Sequence, residues 1–204
     1  MKPFLPLTLL SSLLFLSTFA APADPVLDSD GNELRPGVEY YVLPSPGTGG
    51  GLTLAGRNGS TCPLYVAKET SEVSPGLPVA FFPLDEGEDT VRLTTDANVV
   101  FSASTVCVQS TAWRLGGPDG PTGRSYVTTG GVVRNPGRET LSNWFMVEKV
   151  GDESSSYKLV FCPQPEVCRD CGRPRCGDLG FFAEDGRAWV GFGGSPFSVM
   201  FKKA

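Results

Sequence analysis

The sequence predicts an all-β protein, either a sandwich or a closed barrel, and three observations carry that expectation. Its 204 residues include 25 glycines and 18 prolines, which recur every few positions and punctuate the chain with turns. Between them lie short runs rich in Val, Phe, Tyr and Thr, residues that fit a pleated, half-buried surface. No window keeps the apolar period of roughly 3.6 residues over a length that makes a helix. Many short strands at a spacing of roughly 8–12 residues close into a sandwich or a barrel, and composition does not choose between the two.

Taken in order, the chain opens on a leader. Lys2 precedes an apolar run from Leu5 to Leu16 that is short for a bilayer span. Small residues around Ala20 and Ala23 offer cleavage after either position, which predicts a signal peptide over residues 1–20 and a single domain over 24–204. A membrane anchor is the alternative use of such a run. The domain of roughly 180 residues is long enough for one sizeable core. Its first element reads as strand, turn, strand: Val26-Leu27-Asp28-Ser29-Asp30-Gly31-Asn32-Glu33-Leu34, then Gly37 to Leu43. Asp30-Gly31-Asn32 supplies a tight turn, while Val38, Tyr40 and Val42 share one face of the following strand. Further strand-like runs are Cys62–Ala67, Val79–Phe82, Val99–Cys107, Trp144–Val150, Tyr157–Phe161, Ala188–Phe192 and Phe197–Phe201. Residues 47–51 read as a Gly-rich loop, and no low-complexity linker divides the chain.

Charge and composition narrow the function. The net charge is −5 at pH 7, which argues against nucleic acid and anionic membranes as partners. There is no histidine, so Ser-His-Asp and Cys-His catalysis, His-ligated zinc and the usual side-chain switch between pH 5 and 8 are absent. An enzyme would depend on carboxylates, and the only dense cluster, Asp85, Glu86, Glu88 and Asp89, sits on a predicted surface turn rather than across a cleft. The sequence therefore predicts a protein that is not an enzyme and needs no cofactor or metal. The repeated Gln-x-Trp signature of carbohydrate-binding β proteins is missing, and Trp113, Trp144 and Trp189 read as packing residues.

Six cysteines leave the pairing open. Cys62 and Cys107 lie far apart, whereas Cys162, Cys168, Cys171 and Cys176 are clustered. The cluster has the look of a four-thiolate zinc knuckle, but an oxidising secretory route favours disulfides. Cys168-Arg169-Asp170-Cys171 lies in a Pro- and Gly-rich loop, not at a helix start, which argues against a thioredoxin-like role. Asn58-Gly59-Ser60 is an N-glycosylation sequon in a polar loop.

The order Val-Leu-Asp-x-x-Gly-x-x-Leu from Val26 to Leu34, with Tyr40-Tyr41 six residues on, resembles the N-terminal signature of the plant Kunitz-type (soybean trypsin inhibitor) protease inhibitors. The resemblance extends through Cys62-Pro63-Leu64, Gly76-Leu77-Pro78-Val79, Trp113, Trp144-Phe145 and Lys158-Leu159-Val160-Phe161-Cys162-Pro163. It implies a β-trefoil: a short six-stranded barrel capped by three hairpins, in three similar units. It also implies disulfides Cys62–Cys107 and Cys162–Cys176, the latter bracketed by Val160-Phe161-Cys162-Pro163 and Cys176-Gly177-Asp178-Leu179-Gly180. Cys168–Cys171 is then the third bridge, as in the miraculin-like subgroup.

Members of this family offer a protease an exposed, rigid loop, and rigidity lowers the entropy lost on docking. The resemblance implies a secreted or vacuolar, monomeric inhibitor of an endopeptidase. It places the reactive loop at Leu84, Asp85, Glu86 and Gly87, with Glu86 as P1, the residue that fills the protease's main pocket. Trypsin's pocket ends in a carboxylate, and four carboxylates between Asp85 and Asp89 repel it, so trypsin is not the expected target. A register shift puts Leu84 at P1, suited to a chymotrypsin-like pocket. Where relatives brace the loop with an asparagine, this chain has Pro36, which has no side-chain amide; a looser loop is expected. The alternative function is a non-inhibitory storage or binding protein that kept the trefoil and lost the loop's activity.

Overall fold

Alternating apolar residues separated by glycine and proline turns produce thirteen short strands in the computed structural model, which describes residues 22–45, 49–151 and 156–204. The expected leader, residues 1–20, lies outside the described residues. The strands are β1 Glu39–Pro44, β2 Leu52–Arg57, β3 Ser60–Lys68, β4 Val79–Pro83, β5 Ala97–Phe101, β6 Arg114–Leu115 and β7 Val127–Thr128. They continue with β8 Met146–Lys149, β9 Tyr157–Phe161, β10 Gly177–Glu184, β11 Arg187–Phe192, β12 Ser195–Pro196 and β13 Val199–Lys203. A short 3₁₀ turn, Arg138–Asn143, precedes β8. Among the described residues no helix is long and apolar enough to cross a membrane.

Strand pairing defines two closed layers. β1 pairs with β4 and β13, β4 with β5, and β9 with β8 and β13. A bridge between Ala97 and Phe145 joins the start of β5 to the approach of β8 and completes a six-stranded ring. The hairpins β2–β3, β6–β7 and β10–β11 form a second layer. That layer closes as a triangle through Trp189↔Ala67, Tyr65↔Thr128 and the bridge Tyr126↔Gly191. A barrel of six strands capped by three hairpins is the β-trefoil. Closure removes the exposed sheet edges that an open sheet leaves to aggregation.

Units one and three echo one another. Tyr40 of β1 and Tyr157 of β9 are both buried, at matching places in units one and three. Each hydroxyl accepts a backbone hydrogen bond from the N-terminal segment, Tyr40 from Arg35 at 2.9 Å and Tyr157 from Leu27 at 3.0 Å. That segment does not form a long hairpin with β1. Residues 26–34 make their own tight turn with one bridge, Leu27↔Glu33, because the Asp28 carboxylate accepts from the backbone N–H of Asp30 and Asn32 and Gly31 takes a φ of +82°.

Phe81, Phe101, Trp113, Phe145, Phe161 and Phe201 pack with Val and Leu side chains inside the barrel. Trp113 meets Phe145 edge-on at 5.8 Å and Phe81 meets Phe201 at 5.4 Å, a preferred aromatic arrangement. Tyr126, Trp189 and Ala67 form a second cluster under the cap. Beside it the buried Arg57 guanidinium lies 4.1 Å over the Tyr126 ring, 2.7 Å from Glu184 Oε2 and 3.5 Å from Asp119 Oδ1. Burial acts to raise the Glu184 carboxyl, but hydrogen bonds from Arg57 and Tyr126 outweigh it and hold the group below the ordinary carboxylate range.

Six cysteines form three disulfides: Cys62–Cys107, Cys162–Cys176 and Cys168–Cys171. The first ties β3 to the loop after β5; the other two lie in the segment between β9 and β10. The run Val99–Cys107 is not one strand. β5 ends at Phe101, where Ser102 N–H turns back to the Pro78 carbonyl and the chain leaves the barrel to reach Cys62.

Candidate functional site: the loop between β4 and β5

β4 and β5 form a regular hairpin from Val79↔Phe101 to Pro83↔Ala97. Leu84 N–H extends the ladder by one bond to the Asp96 carbonyl, at 2.8 Å. Leu84 is therefore half-buried and tied to the sheet, and the chain first becomes exposed at Asp85, Glu86 and Gly87, and again at Asp89. The tip closes on itself. Asp85 Oδ1 accepts from Gly87 N–H at 2.9 Å, and the Asp85 carbonyl accepts from Glu88 N–H at 3.2 Å. Glu86 sits at the tip of the turn with its side chain 61% exposed, and that of Asp89 on the returning leg is 80% exposed, so a docking partner meets carboxylates at both positions. Arg134 Nη1 stands 3.4 Å from Glu86 Oε2. Arg134 itself is held in a left-handed backbone conformation, φ +55°, by its N–H bond to the buried Asn98 side chain.

The returning leg is anchored more strongly. Thr90 and Val91 are buried, and Val91 is sandwiched in a backbone ladder: its N–H donates to Leu34 and its carbonyl accepts from Val26, each at 2.8 Å. Arg92 Nε donates to Glu88 Oε2 at 2.8 Å, and its Nη1 to the Ala23 carbonyl at 3.0 Å. The Glu88 bond raises the Arg92 pKa above its ordinary value.

Pro36 supplies no amide, yet the loop is not left loose, because the adjacent residue takes that part. Arg35 Nη1 donates to the Asp89 carbonyl at 3.1 Å and lies 3.4 Å from Thr90 Oγ1, while Nη2 pairs with Glu33 at 3.3 Å. Thr90 Oγ1 lies in turn 3.2 Å from Glu33 Oε2. A guanidinium thus grips the loop's C-terminal leg from the N-terminal segment. Arg35 carried no motif in the sequence; its only signal was its position beside Pro36. Arg134, more than forty residues from the loop, carried none.

Behind the loop lies a cavity of about 410 Å³ lined by Leu84, Asp85, Glu88, Arg92, Asp96 and Gln164 among others. Asp96 is buried; its Oδ2 accepts from Gln164 N–H at 2.9 Å and its Oδ1 has no partner. Burial pushes its pKa up to about 6, with the nearby Glu166 charge adding to the effect and the Gln164 bond opposing it.

The arrangement is thus an anchored, exposed, acidic loop whose nearby cations, Arg35 and Arg92, are turned inward onto Glu33, Asp89 and Glu88. Its outer face is acidic, and the half-exposed Arg134 beside it is drawn onto Glu86. Elsewhere, Asn58 is exposed at the β2–β3 tip, where Asn58 and Gly59 both take positive φ, +54° and +73°, the geometry of a two-residue hairpin turn. Trp113, Trp144 and Trp189 are all buried. Among the described residues no group of three or more acidic or cysteine side chains is placed to hold a metal ion.

Comparison with known proteins agrees with this architecture. Residues 26–203 match the profile of the Kunitz legume family, described as trypsin and protease inhibitor. The chain is 45% identical over 206 residues to an alpha-amylase/subtilisin inhibitor of Oryza sativa subsp. japonica, covering 98% of this chain and 94% of that one. It is 44% identical over 195 residues to miraculin of Synsepalum dulcificum, covering 92% and 87% respectively. Among solved structures, the Kunitz-type cysteine protease inhibitor from potato superposes with a TM-score of 0.78 at 31% identity, over 90% of this chain and 98% of that one. The chain belongs to the Kunitz legume family of trypsin and protease inhibitors.

Proposed function

We propose that the protein is a secreted, monomeric inhibitor that presents residues 84–87 to a serine endopeptidase other than trypsin. One observation carries the reading: the loop is exposed at Asp85, Glu86 and Gly87 while both legs are fixed, by Leu84 to Asp96 and by Arg35 to Asp89. Fixed legs lower the entropy lost on docking. The side chain at the tip, Glu86, selects a partner pocket that is neutral or basic. The leader, cleaved after residue 20 or 23, and a glycan on Asn58 belong to the same reading, since both accompany the secretory route. Its disulfides suit that compartment.

A second reading, a storage or binding protein without inhibitory activity, is favoured by the hydrogen-bonded turn from Asp85 to Glu88, since a protease cleft takes an extended segment.

One titration separates the two. The oxidised, purified protein is mixed with trypsin, chymotrypsin, subtilisin and papain, and each mixture is analysed by mass for cleavage between Leu84 and Gly87. Saturating one-to-one inhibition of a serine enzyme, with cleavage confined to that loop and no inhibition of trypsin, is the expected result. No inhibition, or rapid full degradation through the loop, establishes the second reading.

A further inference from the structure

The segment joining β9 to β10, residues 162–176, forms no strand. Pro163, Pro165 and Pro174 have no N–H to give to a ladder. Two disulfides fold the segment back on itself instead, Cys162–Cys176 across its base and Cys168–Cys171 further out. A cavity of about 460 Å³ lies between this segment and Leu141 of the 3₁₀ turn and Met146 of β8, within the size range of small-molecule sites.

The walls of this cavity are pinned in two places. Gln164 N–H donates to Asp96 Oδ2 at 2.9 Å, and its side-chain amide donates to the Thr94 carbonyl at 2.6 Å. Further along, Arg138 Nη2 donates to the Asp170 carbonyl at 2.7 Å, which ties the segment to the 3₁₀ turn that carries Leu141. Much of the lining is apolar: Leu141, Met146, the three prolines and the disulfide-bonded Cys162, Cys168 and Cys176. Two charged side chains complete it, Glu148 and Arg173. Glu148 is committed, with Lys158 Nζ 3.0 Å from its Oε2. Arg173 is exposed, and its guanidinium has no ion pair or hydrogen bond among the described residues.

We infer that this cavity binds a small aromatic acid, with its ring among Leu141, Met146 and the prolines and its carboxylate on Arg173. A largely apolar cavity with one uncommitted cation suits an apolar body bearing a single negative charge. The planar guanidinium matches a carboxylate through two parallel hydrogen bonds, and a methionine thioether makes favourable contacts with an aromatic ring. Pinned walls keep the ordering cost of binding low. The site is separate from residues 84–87, and its occupancy does not depend on whether that loop inhibits a protease.

The test titrates the full oxidised chain by calorimetry with three probes of one shape: naphthoate, the neutral naphthol and the cation naphthylmethylamine. Naphthoate should bind at one-to-one stoichiometry with a dissociation constant below about 1 mM, and more tightly than the other two. Arg173→Glu, at an exposed position that leaves the fold intact, should weaken naphthoate by roughly tenfold and leave naphthol unchanged. Leu141→Asn should weaken both, because it removes apolar contact and no charge. Arg114→Glu, on β6 and outside the cavity, should change neither. Four results overturn the inference: no saturable binding of naphthoate, naphthol or the amine binding as tightly as naphthoate, undiminished binding in Arg173→Glu, or the same loss in Arg114→Glu. Preference for the amine would assign the cavity's charge selection to Glu148 instead.

Discussion

Arg35 Nη1 lies 3.1 Å from the carbonyl oxygen of Asp89, 54 residues away in sequence, and this bond couples the N-terminal segment to the returning leg of the acidic loop. Its neighbour Pro36 removes one kind of brace, and Arg35 replaces it with a charge-assisted one.

Replacing Arg35 with methionine keeps most of the side chain's apolar stem and deletes the donors. The expected outcome is an inhibition constant weakened by roughly tenfold, about 1.4 kcal/mol. The midpoint of thermal unfolding should move by only a few degrees, because the pairs are half-exposed. Enzyme titration alongside calorimetry checks both; a large fall in the unfolding midpoint would show that Arg35 holds the fold rather than the loop.

Glu86 and Arg134 form a 3.4 Å pair at the tip, so the two positions are expected to couple. Glu86→Arg alone places two guanidinium groups together and should bind trypsin weakly. Adding Arg134→Gln removes the repulsion and should strengthen trypsin binding by a further factor of roughly 5–10. A double-mutant cycle in trypsin inhibition measures this, and strict additivity would refute it.

The disulfides should rank by loop length. In the loop-entropy treatment the bridge across a separation of 45 residues contributes about 4 kcal/mol, that across 14 about 3, and the Cys168–Cys171 ring about 2. Urea unfolding of Cys62→Ser/Cys107→Ser and Cys168→Ser/Cys171→Ser proteins tests the order. The small ring is expected to shape its loop more than it holds the domain.

Asp96 gives a pH signature of unusual sign. Its folded-state pKa, about 6, lies above its ordinary value of 3.8, so the folded protein holds the proton more tightly than the unfolded chain. Its contribution is therefore largest below about pH 4 and is lost as pH rises towards 6. Asp96→Asn keeps an acceptor for Gln164 N–H and removes the buried charge. It should stabilise the protein at pH 7 by on the order of 1–2 kcal/mol and flatten the stability profile between pH 4 and 6. Denaturant unfolding at several pH values would show either this flattening or a profile unchanged from the parent.

What the sequence disclosed follows from the range of each interaction. Tyr157–Phe161 is a strand in both readings because alternation and β-branching act locally. The two-residue strands β6, β7 and β12 are too short for any periodicity to register, and the barrel and cap exist only through their non-local pairing. Val99–Cys107 misleads because its apolar residues suit a strand throughout, whereas a disulfide to a distant strand pulls half of them out of the sheet. The position of the loop at 84–87 follows from its spacing to the family-like residues, not from its own chemistry. Its supports could not be reached that way. Arg35, Arg134 and the buried Arg57–Glu184 pair act across tens of residues, and a lone arginine in a sequence reads as solvated surface until its partner is located.

The last strand in chain order lies between the first and the ninth: β13 bonds to both β1 and β9. The ring therefore cannot shut until Val199–Lys203 has left the ribosome, and for most of synthesis β1 waits with one edge unpaired. Loop bridges formed early would confine the growing chain during that interval. Closure of the ring is thus deferred to the five-residue strand Val199–Lys203, which acts as its latch.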